Sequence, residues 1–113
     1  MSDRLKLISQ SALLILALAW SCGLPAKGQS ASESLYKAKC AICHANDGSG
    51  DTPAGKKLGV RNFRSPEVQK QTDAALTEIT VKGKNKMPAF EKKLTNAQIK
   101  QLVAYVRELA KKK

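Results

Sequence analysis

Two cysteines and a histidine stand together in the run Cys40-Ala41-Ile42-Cys43-His44. The C-x-x-C-H spacing is the attachment pattern of a c-type haem, because two thiols one helical turn apart can form thioethers with the two vinyl groups of one porphyrin edge. His44 then lies beneath the iron and can bind it as the proximal ligand. The pattern therefore predicts one covalently bound haem c, attached through Cys40 and Cys43, with His44 as an iron ligand.

A second iron ligand is predicted from the composition. The chain has one histidine, and apart from Met1 its one methionine is Met87. Met87 precedes Pro88 in an irregular stretch, which favours an extended backbone at the methionine, whereas a packing methionine would more naturally lie on a helical stripe. We therefore expect Met87 to be the second axial ligand. A His/Met pair leaves no open position on the iron, so we expect one-electron transfer and no enzymatic activity.

The imidazole of His44 also needs an acceptor for its other N–H, because such a bond fixes the orientation of a ligating ring. The backbone carbonyl of Pro53 is a candidate for this acceptor. The alternative is that Pro53 only stiffens the loop in which it lies. The sequence by itself leaves both interpretations open.

The first helix, which positions the motif, is predicted to begin at the capping box Ser30-x-x-Glu33. It should run to about Cys43 and place His44 at its end. Residues 45–64 read as a loop, because Gly, Asn, Asp and Ser are concentrated there. The motif is therefore predicted to join a helix to a long irregular segment.

Three further helices are predicted in the second half of the chain. A short one begins at Ser65 and ends near Gln71, a second runs from Thr72 to just before Gly83, and a third begins at Thr95. The third has the broadest apolar stripe in the chain, formed by Ile99, Leu102, Val103, Val106, Leu109 and Ala110. No segment reads as a convincing strand, so the sequence predicts an all-α fold of about four helices.

The first ~30 residues do not fit this helical domain and read instead as a secretory signal peptide. Arg4 and Lys6 precede an apolar run over residues 12–20, and small and polar residues follow it. The run is well short of the ~20 residues that span a bilayer. We predict a signal peptide over residues 1–28, with cleavage at about 26–31, and a monohaem domain over residues 29–113.

Export predicts the bacterial periplasm as the location of the mature protein. Cys22 follows the apolar run, where a lipoprotein would carry its lipid anchor. The bulky Trp20 fits that signal poorly, so we favour loss of Cys22 with the signal peptide. Membrane contact is then expected only through a partner complex.

The chain of 113 residues is strongly basic, with a formal net charge of +11. Five lysines flank the predicted methionine ligand: Lys82, Lys84, Lys86, Lys92 and Lys93. There they would surround an exposed haem edge and steer a monomeric protein towards redox partners with acidic docking surfaces. The alternative is a generally basic solvated surface. Nucleic-acid binding is disfavoured, because the chain is predicted to be exported and lacks an aromatic and basic reading surface.

The combination of Cys40-x-x-Cys43-His44, Met87-Pro88 and an amphipathic C-terminal helix bearing Tyr105 resembles the class I c-type cytochromes. That resemblance implies a small cytochrome c fold wrapped round one haem, with the N- and C-terminal helices crossing. It also implies that the carbonyl of Pro53 accepts the hydrogen bond of His44. At the helix crossing it implies contacts among Leu35, Tyr36, Leu102 and Tyr105.

The function expected from the motif and the resemblance is that of an exported one-electron carrier between redox proteins, with iron cycling between Fe(II) and Fe(III). A respiratory chain is preferred over a photosynthetic one. One alternative is the cytochrome subunit of a specific dehydrogenase or oxidase complex. Another is a haem enzyme with an open distal site, which requires that Met87 is not bound. A structural zinc site is disfavoured, because it needs four ligands and the motif supplies three.

Overall fold

The computed structural model describes residues 30–112. The predicted signal peptide and Cys22 lie outside the described residues. Within this range there are six α-helices: α1 (Ala31–Lys39), α2 (Ala41–His44), α3 (Pro53–Leu58), α4 (Pro66–Gln69), α5 (Asp73–Lys82) and α6 (Asn96–Lys111). The one β pairing in the same range is an isolated bridge between Lys84 and Met87. The all-α prediction is therefore confirmed.

The described chain has more helices than the four expected, for two reasons. The predicted first helix is interrupted at Cys40, so the motif lies mainly on the separate short helix α2. The predicted loop contains α3, which Thr52 caps by accepting a hydrogen bond from the Gly55 N–H (2.8 Å). Pro53 occupies the first turn of α3, where its missing N–H costs nothing, and Gly59 ends the helix in the left-handed conformation. The loop prediction was wrong because threonine, proline and glycine occur at the ends of helices as well as in turns. Here Thr52 and Pro53 start α3, and Gly59 ends it.

The core is centred on the contact between α1 and α6. Tyr36 of α1 has no exposed surface, and its ring centroid lies 5.1 Å from that of Tyr105 on α6. Leu102 belongs to the same buried cluster, and the partly buried Leu35 packs against it. The predicted packing of the N- and C-terminal helices is therefore confirmed.

The start of α6 is fixed by a complete capping box. The Thr95 hydroxyl accepts from the Gln98 N–H (3.1 Å), and the Gln98 side chain accepts from the Thr95 N–H (2.9 Å). The helix then buries Ile99, Leu102, Val103, Tyr105 and Leu109.

Within residues 30–112, no helix combines the length and the apolar character that a membrane span requires.

Arg107 ties α6 to the junction between α4 and α5. Its guanidinium donates to the backbone carbonyls of Gln69 (2.9 Å) and Gln71, and to the carboxylate of Asp73 (2.9 Å). The arginine side chain is 23% exposed, so it is shielded on most of its surface. The Arg107 side chain thus joins α6 to residues 69–73, which lie more than 30 positions earlier in the sequence.

Candidate functional site

The residues selected for their chemistry line one cavity of about 290 Å³. Cys40, Cys43 and His44 reach it from α2 and its N-cap, and Met87 reaches it from the segment after α5. Much of the remaining wall is apolar, with contributions from Leu58, Val60, Phe63, Val68, Leu76, Ile79 and Phe90. The fold therefore brings together the predicted attachment and ligand residues around an apolar cavity.

Helix α3 holds the end of α2 through Thr52 and Gly55. The Thr52 hydroxyl lies 2.9 Å from the carbonyl oxygen of Ile42 and 3.2 Å from that of Cys43. A Cβ on Gly55 would collide with the carbonyl oxygens of Cys43 and Gly50. Glycine is therefore required where α3 approaches α2. Neither residue was predicted to belong to the site, although Thr52-Pro53 is a helix-start signal.

Two further bonds satisfy the carbonyls that follow in the chain. The Gly50 N–H donates to the carbonyl of His44 (3.0 Å), and the Tyr36 hydroxyl donates to the carbonyl of Ala45 (2.7 Å). Burial raises the pKa of Tyr36, so this hydroxyl stays protonated and remains a donor. Carbonyl groups at the C-terminal end of a helix lack helical partners. At the end of α2 they are bound by Thr52, Gly50 and Tyr36.

The imidazole of His44 is mostly buried and stacks on the ring of Phe63. The two ring centroids are 4.2 Å apart and the ring planes differ by 17°. Burial lowers the pKa of His44, while a backbone contact from Arg61 acts in the opposite direction. The ring is therefore favoured in its neutral form, which keeps a nitrogen lone pair available for a metal.

The expected hydrogen bond from His44 to the carbonyl of Pro53 is not formed in this structure. The Nδ1 atom of His44 is buried and has no hydrogen-bond partner within residues 30–112. Pro53 is the first residue of α3, and a helical carbonyl points along the helix axis towards the following turn. The role of Pro53 as the acceptor for His44 therefore stays a prediction.

The two thiols of the motif are available for covalent chemistry. Neither Cys40 nor Cys43 forms a disulfide in the described chain. Burial raises the pKa of the Cys40 thiol to about 11, with a smaller contribution from Cys43, so it is protonated at neutral pH. The C-x-x-C pair is therefore arranged as two free thiols on the wall of the cavity.

A tight turn positions Met87. Its N–H donates to the Lys84 carbonyl (2.9 Å), and the Lys84 N–H donates to the Met87 carbonyl (3.2 Å). Asn85 within the turn has a φ of 54°, a conformation that asparagine tolerates better than most residues. A Cβ on Gly83 would lie 2.6 Å from the Met87 carbonyl oxygen, so glycine is needed there as well. From the sequence, Gly83 was predicted only as the end of a helix.

The rim of the cavity is basic. Four cationic residues line it, Lys39, Arg61, Lys84 and Lys86, and no acidic residue does. None of these four takes part in an ion pair within residues 30–112. Two exposed apolar side chains also contribute to the lining: Ile42 is 75% exposed and Leu58 is 37% exposed.

The flanking lysines predicted to surround the methionine divide into two groups. Lys84 and Lys86 line the cavity, whereas Lys82, Lys92 and Lys93 do not. Lys82 pairs with Glu78 (2.8 Å), and the Lys93 ammonium lies 5.6 Å from the centroid of the Phe90 ring. Sequence position alone could not distinguish the groups, and it missed Lys39 and Arg61, which the fold brings in from other segments.

Comparisons with known proteins agree with this site. The family model described as cytochrome c oxidase, cbb3-type, subunit III matches residues 28–106. Cytochrome c6 of Leptolyngbya boryana is 33% identical over 82 residues, which cover 73% of this chain and 93% of the relative. The chain belongs to the class I c-type cytochromes.

Further comparisons support the same assignment for this cytochrome. Cytochrome c6 of Gloeothece citriformis is 32% identical over 109 residues, covering 95% of this chain and 96% of the relative. The solved structure of the KustC0563 c-type cytochrome has a TM-score of 0.64 and 36% identity, and the match covers 69% of this chain and 95% of that one. The predicted cytochrome c fold is therefore confirmed.

The cofactor of this cytochrome is a covalently bound haem c with its iron, and its function is to carry electrons rather than to act as an enzyme. The residues of the site fit that cofactor. The cavity has many apolar side chains in its wall, as a porphyrin requires, two free thiols lie at the C-x-x-C spacing, and the imidazole of His44 and the thioether of Met87 line the same cavity. Histidine with methionine is a ligand set of c-type cytochromes.

Proposed function

We propose that this cytochrome is an exported one-electron carrier, with His44 and Met87 as its iron ligands and Cys40 and Cys43 as the points of haem attachment. The observation that carries the proposal is the meeting of these four residues in one apolar cavity, although Met87 comes from a distant part of the chain. When bound, the haem iron supplies the change between Fe(II) and Fe(III).

The contacts of His44 and Met87 within the protein would hold both side chains in place before and after electron transfer. The stack on Phe63 and the anchored end of α2 fix His44, and the turn from Lys84 to Met87 fixes the thioether. If His44 and Met87 both bind the iron, no position on it is left for a substrate. Such a rigid arrangement favours rapid electron exchange over bond chemistry.

The partners we propose are redox proteins with acidic docking surfaces. The support for this is the uncompensated basic rim around the cavity, where charge of one sign steers oppositely charged partners. We place the carrier as a monomer in the bacterial periplasm, as a member of a respiratory chain, with residues 1–28 removed as a signal peptide. Attachment to a membrane through a lipidated Cys22 is the less favoured alternative.

Export is tested by the mass of the mature protein. Expressed in a host that exports and matures c-type cytochromes, the protein should be recovered from the periplasm with a first residue between about 27 and 32, given the general form of signal peptides. A full-length cytoplasmic product would overturn the export proposal. A chain that begins at Cys22 with added lipid mass would establish the anchored form.

A second candidate function is supported by the family model, whose description names an oxidase subunit. In that case the cytochrome would be the haem-bearing subunit of a dehydrogenase or oxidase complex. Affinity purification from the native host in mild detergent separates the two candidates. A stoichiometric membrane partner would identify a subunit, and recovery of the free protein would identify a mobile carrier.

The ligand assignment is tested by replacing Met87 with alanine. Met87→Ala should keep its covalent haem, lose the weak far-red sulfur-to-iron absorption of the oxidised protein, bind carbon monoxide and show a lower reduction potential, because the thioether stabilises ferrous iron. Lys86→Ala, in the same turn, is the control and should keep the absorption band. An unchanged spectrum and potential in Met87→Ala would exclude Met87 and reopen the case for an enzyme with an open distal site.

A further inference from the structure

The turn that follows the haem motif has an unusual backbone conformation at Ala45. Its φ of 61° and ψ of 163° lie in a region that glycine occupies freely and that residues with a Cβ avoid. Rotation of the peptide between Ala45 and Asn46 would carry ψ towards the left-handed helical region, where alanine is less strained. The compensating rotation would fall on Asn46, and asparagine is among the residues that best tolerate a positive φ. The observed conformation therefore has an accessible alternative and depends on contacts that hold it.

Two donors bind the carbonyl of this peptide. The Tyr36 hydroxyl donates to the Ala45 carbonyl oxygen at 2.7 Å, and the Gly48 N–H donates to the same oxygen at 3.3 Å. The longer bond joins two residues of the turn itself, whereas the shorter bond comes from helix α1. The Tyr36 hydroxyl is therefore the contact that ties this peptide to another element of the fold.

The hydroxyl of Tyr36 has a fixed position, because the ring that carries it is packed in the core. Tyr36 has no exposed surface. Its ring centroid lies 5.1 Å from that of Tyr105 and 6.4 Å from that of Phe63. The same hydroxyl is 3.5 Å from the carbonyl oxygen of His44. A rigid phenol thus meets the backbone on the C-terminal side of the proposed iron ligand.

We propose that Tyr36 is a positioning residue for His44, because its hydroxyl holds the peptide after Ala45 against rotation and so fixes the end of the haem motif. This inference rests on the proposed binding of iron by His44. Without the hydroxyl, the turn relaxes at Ala45 and the backbone of His44 can shift within the cavity. With the hydroxyl, the ligand keeps one position when the iron gains or loses an electron.

Hydrogen exchange of two amides reports the orientation of this peptide. The Gly48 N–H loses its acceptor when the Ala45 carbonyl turns away. The Gly50 N–H donates instead to the carbonyl of His44 (3.0 Å), which belongs to the preceding peptide. Rotation of the peptide after Ala45 therefore speeds exchange at Gly48 alone, whereas a general loss of stability speeds exchange at both amides.

The experiment compares Tyr36→Phe, which keeps the ring and removes the hydroxyl, with the parent holoprotein. We expect exchange at the Gly48 amide to rise roughly tenfold, as the loss of one hydrogen bond implies, with little change at Gly50. The haem methyl resonances of the oxidised protein should also move, because their hyperfine shifts depend on the placement of the axial ligand. Tyr105→Phe is the matched control. It should change neither quantity, because the hydroxyl that binds the turn is that of Tyr36.

A second test removes the strain instead of the hydrogen bond. Glycine adopts the observed φ and ψ freely, so in Ala45→Gly the peptide no longer depends on the hydroxyl. Tyr36→Phe should therefore raise exchange at Gly48 much less in the Ala45→Gly background than in the parent, which is the signature of coupled residues. An equal rise in the two backgrounds would show that Tyr36 does not hold a strained turn.

The proposal is also overturned if Tyr36→Phe speeds exchange at Gly48 and Gly50 equally, if it changes neither amide, or if the haem methyl shifts keep their parent values. Failure of the ligand assignment gives a different result. In that case the parent holoprotein itself would lack the low-spin spectrum and the far-red sulfur-to-iron absorption of His/Met ligation, whatever residue stands at position 36.

Discussion

Ala45 directly follows the proposed iron ligand and has a φ of 61° and a ψ of 163°. That combination is almost confined to glycine, because a Cβ crowds the neighbouring backbone there. Its carbonyl is held in this conformation by the Tyr36 hydroxyl at 2.7 Å. The turn that leaves the haem motif is therefore maintained against local backbone strain.

We expect Ala45→Gly to stabilise the protein by about 1 kcal/mol. Relief of ~1–3 kcal/mol of strain outweighs the ~0.5–1 kcal/mol by which glycine favours the unfolded chain. Chemical denaturation of the holoprotein measures the difference in the free energy of unfolding. Ala104→Gly, at an exposed position within α6, is the control and should lose ~0.5–1 kcal/mol. A loss of similar size in both variants would show that Ala45 is not strained.

At the scale of single residues, the residues that carry the chemistry were easier to predict from the sequence than the side chains that surround them. Cys40, Cys43, His44 and Met87 could be predicted as site residues because a haem requires specific atoms at specific spacings, and the fold brings all four to one cavity. The stacking of Phe63 on His44 was not found, since it depends on how a loop folds back. The role of Pro53 as acceptor stays a prediction; the hydrogen bond is not formed in this structure, and Pro53 begins a short helix where a loop was predicted.

Helix α3 is short, but it makes two contacts that hold the backbone of the haem motif. It spans only Pro53–Leu58, yet Thr52 at its cap and Gly55 within it both contact the backbone of α2. A helix this short has little stability of its own. We infer that its contribution comes from these two contacts with α2.

We expect Gly55→Ala to destabilise the holoprotein by about 3 kcal/mol, because the added methyl meets backbone carbonyls that cannot move without disturbing α2. The yield of covalent haem, measured by the pyridine haemochrome spectrum, should fall as well. Gly59→Ala is the matched control. Its Cβ would meet nothing within 4 Å, and with a φ of 64° it should cost only about 1 kcal/mol. Equal losses in the two variants would argue against a close approach at Gly55.

Helix boundaries could be predicted from capping residues in α5 and from both capping residues and an apolar stripe in α6. The strongest case is α6, where Thr95 and Gln98 form the expected capping box and the buried stripe follows. For α3 the apolar pattern is missing, since Leu58 is its one large apolar residue and is itself partly exposed. The periodicity of apolar residues therefore could not have identified α3. Only its capping residues could have done so.

At the scale of the whole molecule, charge is distributed unevenly. The formal net charge is +11, and the rim of the haem cavity carries lysine and arginine without any acidic residue. By contrast, several cations elsewhere are neutralised by neighbours, as in the pair between Lys56 and Asp51 (2.6 Å). The uncompensated charge is therefore located where electrons would enter and leave.

We expect the double substitution of Lys84→Glu with Lys86→Glu to slow oxidation of the reduced protein by the anionic probe ferricyanide by about tenfold at low salt. Reaction with the cationic probe hexaammineruthenium should become faster, and both effects should shrink at high salt. Stopped-flow absorbance measures these rates. Lys100→Glu with Lys111→Glu changes the net charge equally at residues that do not line the cavity. If this control pair has the same effect, net charge and not the rim governs the rates.

The position of Arg107 near the end of the chain has a consequence for biogenesis. Ribosomes build proteins from the amino end, so residues 40–44 emerge well before the arginine that secures Gln69 and Gln71. Until α6 has emerged, the segment that bears Phe63 lacks these contacts with Arg107. We therefore expect the two thiols to be more accessible to haem attachment before α6 packs than after it.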